Sequence, residues 1–376
     1  MMARPRLLAI STIPAWPITE GQSLRTANLL RELAKTWSIR LIAPPQTVVP
    51  DGLADSITLV PVTLDNGRCL YPWRFSPAPL LAALDRELAE HRPERMLVWP
   101  GAETVGFSNR VLPRAVMDIT DCVALEFWRG FLAHPGLRQK LRNLREVPVA
   151  LRTARRMVRG FPVITAVGED DARWLANAGG RHNVAVVPNG VDIPDAASLP
   201  APSPTPLLSF HGSLDYGPNI VAVLHAARAI WPIVREAVPE ARFSISGRNP
   251  APELVALHGQ DGIAIEADPI DINAVMGRAW VSTASMCSGV GIKNKVLEAW
   301  ACGIPVVMSP LATNGLIIPP EHAFLVSRDP QVMAERIITL LRSDTQRRAL
   351  GVQAREHVAR HFTWAGAAAR ISDLLG

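Results

Sequence analysis

Only four cysteines, Cys69, Cys122, Cys287 and Cys302, occur in the 376 residues, with no CxxC pair and no histidine at metal-ligand spacing. That excludes a disulfide framework and a zinc site and fits a reducing cytoplasm. No apolar run approaches the roughly 18 to 20 residues that span a bilayer. Arg4 and Arg6 precede an apolar run at the amino terminus, but it extends only from Leu7 to Ile10 before Pro14, too short for a secretory signal. It reads instead as a first buried strand, and the chain is expected to be soluble or peripheral to a membrane. A net charge of +5 is too modest to argue for nucleic acid as a partner.

What is present is a globular composition, 48% hydrophobic and 19% charged, in a chain long enough for two cores. Short apolar segments alternate with helical stretches. Arg6 to Ser11, Ile39 to Ala43, Ile57 to Pro61, Arg95 to Trp99, Ala115 to Ile119, Val163 to Val167 and Val184 to Val187 read as strands. Several are apolar on consecutive residues, as parallel strands buried on both faces should be. Leu24 to Thr36, Pro79 to Glu90 and Asp170 to Ala178 read as helices between them. Residues 193–206 hold five prolines, cannot build a helix or a central strand, and read as a linker between domains. Strand and helix then alternate again: Leu207 to Phe210, Arg242 to Ser246, Ile263 to Glu266, Trp280 to Thr283, Pro305 to Met308 and Ala323 to Val326 are the strands expected. The division is a first domain over 1–192, the linker, a second domain over 207–361, and a last helix over 362–376 returning to the first.

The segment Ser288 to Pro305 carries the strongest chemical signal. Gly289 and Gly291 let backbone approach a ligand, and Ile292, Val296, Leu297 and Ala301 then fall at helical spacing. Gly303 ends that helix before an apolar strand. Lys293 and Lys295 are placed in the first turn, where the helix dipole disfavours a cation by a few tenths to about 1 kcal/mol. An anion would offset that cost, and loop N–H groups, the dipole and two ammonium groups make a cradle for phosphate or diphosphate. Glu298 shares a helix face with Asn294, at i+4, and can accept hydrogen bonds from sugar hydroxyls. The alternative is an ordinary i, i+3 ion pair between Lys295 and Glu298 on a solvated face.

The run Lys295-Val-Leu-Glu-Ala-Trp-Ala-Cys-Gly-Ile-Pro-Val-Val resembles the signature of the family 4 glycosyltransferases. Pro188-Asn189-Gly190-Val191-Asp192 resembles the motif that ends their first domain. The resemblance covers nearly the whole chain and implies an α/β protein of GT-B fold, two Rossmann-like doubly wound parallel-sheet domains facing across a cleft. It implies that Glu298 binds the ribose of a sugar nucleotide, with Asn294, Gly289 and Gly291 beside it and Gly212 and Ser213 in the first loop of the second domain. Gly21 and Gln22, in the loop after the first strand, would lie on the side of the transferred sugar; a plain strand-to-helix turn is the other reading. Asp121 and Asp118, at the end of a strand, could orient an acceptor hydroxyl or cap the next helix.

Two departures stand out. The Arg and Lys that most members carry in the first loop of the second domain are missing, and Val290 occupies the position of an earlier Glu. Lys293, Lys295 and Arg248 are the cations left to hold a diphosphate, with Lys293 stabilising it as it leaves. This arrangement resembles a subgroup associated with bacterial surface polysaccharide synthesis. The activity implied is transfer of a sugar from a nucleotide diphosphate donor to a glycan or lipid-linked acceptor, with retention and with neither metal nor cofactor. A sugar-nucleotide 2-epimerase of the same fold and a non-catalytic sugar-nucleotide-binding subunit are the competing readings.

One further feature is a block of nine Lys/Arg from Arg129 to Arg159 against a single acid, Glu146. It can face anionic lipid at the inner side of the cell membrane or a polyanionic acceptor, or be a solvated basic helix face.

Overall fold

The computed structural model describes residues 4–18, 20–60, 78–99, 114–133, 136–180 and 184–376. The chain divides into two compact units, Met1–Gly190 with Trp364–Gly376, and Val191–Thr363.

In the first unit the elements run β1 (Arg6–Ser11), α1 (Gly21–Leu33), β2 (Ser38–Ala43), β3 (Ser56–Leu59), α2 (Ala78–Glu90), β4 (Arg95–Trp99), β5 (Arg114–Ile119), α3 (Val123–Ala133), α4 (Leu137–Gly160), β6 (Val163–Ala166), α5 (Glu169–Gly179) and β7 (Val184–Val186). The strands form one parallel sheet in the order β3-β2-β1-β4-β5-β6-β7. The reason is visible in β1, where Leu7, Leu8, Ala9 and Ile10 are each at most 1% exposed. A strand that is apolar on both sides must be covered on both faces, which crossover helices provide and hairpins do not. The last helix, α13 (Trp364–Leu375), belongs to this unit. Its Ala367, Ala368, Ile371 and Leu375 join the core formed by Leu29, Leu30, Leu33, Trp37 and Leu41. Trp37 Nε1 donates to Ser372 Oγ at 3.1 Å, and Arg95 Nε donates to the Leu375 carbonyl at 2.6 Å.

The second unit contains β8 (Leu207–His211), α6 (Gly217–His225), α7 (Trp231–Ala237), β9 (Arg242–Gly247), α8 (Pro252–Val255), β10 (Ile263–Ala267), α9 (Ile272–Met276), β11 (Val281–Ala284), α10 (Asn294–Ala301), β12 (Val306–Met308), α11 (Pro330–Arg342) and α12 (Asp344–His361). Its parallel sheet has the order β10-β9-β8-β11-β12. The order reverses between β8 and β11, so the loops leaving their carboxyl ends diverge and open a crevice, the place where such sheets hold ligands. The expected strand over Ala323 to Val326 is absent. Pro320–Leu325 forms a 3-10 turn and only Val326 bridges to Met308, because Pro319 and Pro320 pre-set the turn that runs through Leu325. Residues 193–206 lie along the second unit rather than hanging free. Trp280 Nε1 donates to the Ser203 carbonyl at 2.8 Å, and an Arg355 guanidinium donates to the Pro194 carbonyl.

Candidate donor-binding site

The site is built in the second unit on the loops that leave β8 and β11. Glu298 lies in the second turn of α10, and its Oε2 is 2.7 Å from Nε2 of His211, the last residue of β8. His211 is 2% exposed, whereas the Glu298 side chain is 29% exposed. The histidine thus holds the carboxylate from below and leaves part of it open above. Burial raises the Glu298 carboxyl, but the hydrogen bond and charge of His211, with the charge of Lys295, outweigh it and hold the group below the ordinary carboxylate range. Glu298 is therefore an acceptor of hydrogen bonds at neutral pH.

Lys295 Nζ donates to Asn219 Oδ1 at 2.7 Å and sits 3.9 Å from the centroid of the Phe210 ring. Asn219 Nδ2 in turn donates to the Ser213 carbonyl at 2.8 Å, which fixes the loop after β8 to the start of α6. Burial and the neighbouring charge of Lys293 lower the Lys295 ammonium to about 7, against a smaller opposing effect of Glu298. Such a depressed lysine gains from an incoming anion. Gly212 has φ 145°, and a Cβ there would lie 3.0 Å from Asn219 Nδ2 and 3.1 Å from Lys295 Nζ. Glycine is thus favoured by conformation, and a Cβ would crowd the ends of the two side chains. Gly247 is tighter still, since a Cβ would come within 1.7 Å of the Gly212 carbonyl oxygen. This approach brings exposed Arg248 beside the loop, its Nη2 3.4 Å from Ser213 Oγ.

The structure revises the role of Lys293. The helix begins at Asn294, and Lys293 occupies the position just before it. Its ammonium turns back into the loop, 7% exposed, and donates to the carbonyls of Val290 at 2.6 Å and Gly291 at 2.9 Å. Asn314 Nδ2 also donates to the Gly291 carbonyl, at 3.2 Å. Lys293 therefore holds the glycine loop in shape rather than presenting its charge in the first helical turn. Gly289 and Gly291 take φ of 101° and 67°, conformations that side chains disfavour. The proposed surface pair between Lys295 and Glu298 is replaced by separate partners, Asn219 and His211. Asn294 is half-buried in the first turn of α10.

In the first unit, Asp118 is not an acid available to substrate. It is fully buried, and its two oxygens accept from Arg25 Nε at 2.7 Å, Arg25 Nη2 at 2.8 Å, Thr165 Oγ1 at 2.5 Å and Trp99 Nε1 at 2.9 Å. Burial raises its carboxyl, and Arg25, Thr165 and Trp99 together pull it below the ordinary range. Arg25 Nη1 also donates to Asn189 Oδ1 at 2.7 Å, so the Pro-Asn-Gly-Val-Asp motif is locked to the sheet through its asparagine. Asp121 is exposed just before α3, at the carboxyl end of β5. Gly21 is the first residue of α1, after Glu20, and Gln22 is half-buried beside it at the carboxyl end of β1.

Residues 205–343, which contain the whole constellation around Glu298, match the family model described as Glycosyl transferases group 1. The chain is 26% identical over 275 residues to a phosphatidyl-myo-inositol mannosyltransferase of Propionibacterium freudenreichii subsp. shermanii, covering 70% of this chain and 58% of that protein. It therefore spans little more than half the length of that relative. Among solved structures, sucrose-phosphate synthase from Thermosynechococcus elongatus superposes with a TM-score of 0.74 at 15% identity over 98% of both chains. Anabaena HepE in complex with UDP and glucose gives 0.68 at 14% identity, again over 98% of both. With its two parallel-sheet α/β units, the chain has the GT-B fold.

Proposed function

We propose that the protein is a family 4 type glycosyltransferase that moves a hexose-like sugar, with retention, from a nucleotide diphosphate donor to a glycan or lipid-linked acceptor, in polysaccharide or glycolipid synthesis. The observation that carries this reading is the half-open Glu298 carboxylate held by His211, with Lys295 one turn nearer the start of α10. A carboxylate so held accepts from ribose hydroxyls. The glycine loop before α10, the helix N-terminus and Lys295 meet the diphosphate on the turn above, with Arg248 approaching from the loop after β9. As the sugar leaves, charge grows on the diphosphate, and these fixed donors stabilise it without a divalent metal or cofactor. The HepE complex with UDP and glucose and the relation to a mannosyltransferase support a nucleotide-sugar donor.

On this reading residues 207–361 are the donor domain and residues 1–192, with the returning helix from 362, the acceptor side. Asp121, Gly21 and Gln22 lie at the carboxyl edge of the first sheet, the edge assigned to acceptor and transferred sugar. The protein works in the cytoplasm. Incubation with a panel of labelled sugar nucleotides and lipid-linked acceptors in EDTA is expected to give transfer or slow donor hydrolysis. Epimer formation, binding without turnover, or activity that returns only with Mn²⁺ would replace this reading.

A further inference from the structure

The first half of α4 is inside out. Along the helix, positions 137, 141, 144, 148, 152, 155 and 159 follow one another at spacings of three or four and form one stripe. Its first three members are leucines at the surface: Leu137 is 70%, Leu141 52% and Leu144 40% exposed, and Leu132 at the end of α3 is 58% exposed. On the opposite side of the same turns the helix buries polar residues, Asn143 and Glu146, each 8% exposed. The arrangement is built rather than accidental. Asn143 is packed so closely on α3 that a Cβ on Gly130 would lie 2.6 Å from its Nδ2, and Gln139 Nε2 donates to its Oδ1 at 3.0 Å. Beyond Pro148, inside the helix, the buried side becomes largely apolar, with Ala150, Ala154, Met157 and Val158 beside Thr153, whose hydroxyl donates to the Val149 carbonyl, and the exposed stripe becomes Arg152, Arg155 and Arg159.

A solvated helix has no reason to hide an asparagine and a glutamate while showing water three leucines. The exposed side is also strongly of one sign. Arg138, Arg142 and Arg145 flank the leucines, and Arg156 flanks the arginine half. Among the described residues, none of these seven arginines takes part in an ion pair. The acids that α5 brings alongside, at its first turn, include Asp170, which is taken up by Arg129 and Arg173. No helix of the described residues is long and apolar enough to cross a membrane, so this surface lies on a bilayer if it meets one.

We propose that the exposed face of α4, continued by Leu132, docks on a bilayer of anionic lipid. Leu137, Leu141 and Leu144 enter the headgroup boundary, and the flanking and following arginines pair with lipid phosphates. Exposed leucines flanked by arginines suit that boundary, where apolar side chains sink and long cationic ones stay at phosphate level. A purely polyanionic acceptor would use the arginines and leave the leucines without a function.

The test uses the full chain without nucleotide, so that its outcome is independent of the donor chemistry. Co-sedimentation with phosphatidylcholine vesicles, with and without phosphatidylglycerol, is expected to show binding that depends on the anionic lipid. The triple variant Leu137→Ser, Leu141→Ser, Leu144→Ser should weaken partitioning about tenfold or more at any salt concentration. Arg152→Gln, Arg155→Gln and Arg159→Gln should each cost about fivefold at low salt and less at high salt. Leu137→Glu, at the most exposed position, repeats the test where the triple change disturbs folding, which melting reports. Equal binding to neutral vesicles or wild-type partitioning of the leucine variants would overturn the proposal. So would sedimentation showing that the leucines hold together two copies of the chain.

Discussion

His211 Nε2 lies 2.7 Å from Glu298 Oε2, joining the last residue of β8 to the second turn of α10 across 87 residues of chain. The pair ties together the two loops that flank the reversal point of the second sheet. It gives the carboxylate a fixed direction, with 29% of the Glu298 side chain left exposed to meet a ligand. His211 acts here as a positioning residue. His211→Gln keeps a donor near the carboxylate and is expected to preserve much of the nucleoside affinity. His211→Leu should lower it about tenfold, with little change in diphosphate discrimination, when binding is followed by calorimetry.

Lys295 makes donor binding a proton-linked event. In the empty protein its ammonium is lowered to about 7 by burial and by Lys293, so at pH 8 it is largely neutral. A bound diphosphate favours the charged form, and binding at pH 8 should therefore take up a proton, an uptake that fades near pH 6 where the group is already charged. Calorimetry in two buffers of different ionisation enthalpy measures this directly. Nucleoside alone should show no uptake, and Lys295→Met should abolish it for the diphosphate. The same group sets the sign of a stability change. A lysine whose folded value lies below its unfolded value of 10.5 favours unfolding while the unfolded chain holds the extra proton, so stability of the empty protein should rise from about pH 7 toward 10.5.

Lys293 should behave as a structural residue of the glycine loop. Its ammonium satisfies the Val290 and Gly291 carbonyls in a buried setting. Lys293→Ala strands the first of these and weakens the second, which keeps Asn314, so a loss of about 1 to 3 kcal/mol is expected in denaturant unfolding. Donor affinity should fall as well, because the glycine loop loses the contacts that hold Val290 and Gly291. A variant as stable as the parent, with lower turnover only, would return Lys293 to the direct role suggested by its sequence position.

Asp118 and Arg25 should matter to folding first. Both side chains are fully buried and pair at 2.7 Å, so removing one leaves an uncompensated charge. Asp118→Asn or Arg25→Met is expected to cost about 3 to 5 kcal/mol. The carboxyl of Asp118 is held below its ordinary value of 3.8, and its contribution is thus complete above that pH and lost as pH falls through the lower folded value. Urea unfolding of the wild type and the Asp118→Asn variant between neutral and acid pH should show their difference shrinking at the acid end.

Much of this architecture could be read from the chain because parallel strands declare themselves locally. Leu7 to Ile10 and Val306 to Met308 are apolar on consecutive residues, and both lie buried in sheets. Glu298 and its two glycines are singled out by spacing and by a family signature. His211, Arg25 and Asn219 are not, because their partners lie 87, 93 and 76 residues away and only the sheet order brings them together. The signal available for His211 was its place between a strand and a glycine at the edge where such sheets bind ligands. Lys293 misled for a related reason. Its sequence position puts it at a helix start, but a flexible side chain next to two glycines can fold back on carbonyls that those glycines expose. The leucines of α4 were hidden within a basic run, since the buried Asn143 and Glu146 reverse the usual reading of inside and outside.

Glu298 and Lys295 should contact different parts of one donor nucleotide, and calorimetry with nucleoside, nucleoside diphosphate and sugar nucleotide on Glu298→Gln and Lys295→Met measures that directly. Hydrogen bonds to a charged partner are worth about 1.5 to 3 kcal/mol, so Glu298→Gln should weaken all three ligands by roughly 10- to 150-fold. Lys295→Met should weaken only the two that carry a diphosphate. Wild-type affinity of both variants for the nucleoside diphosphate would contradict the site.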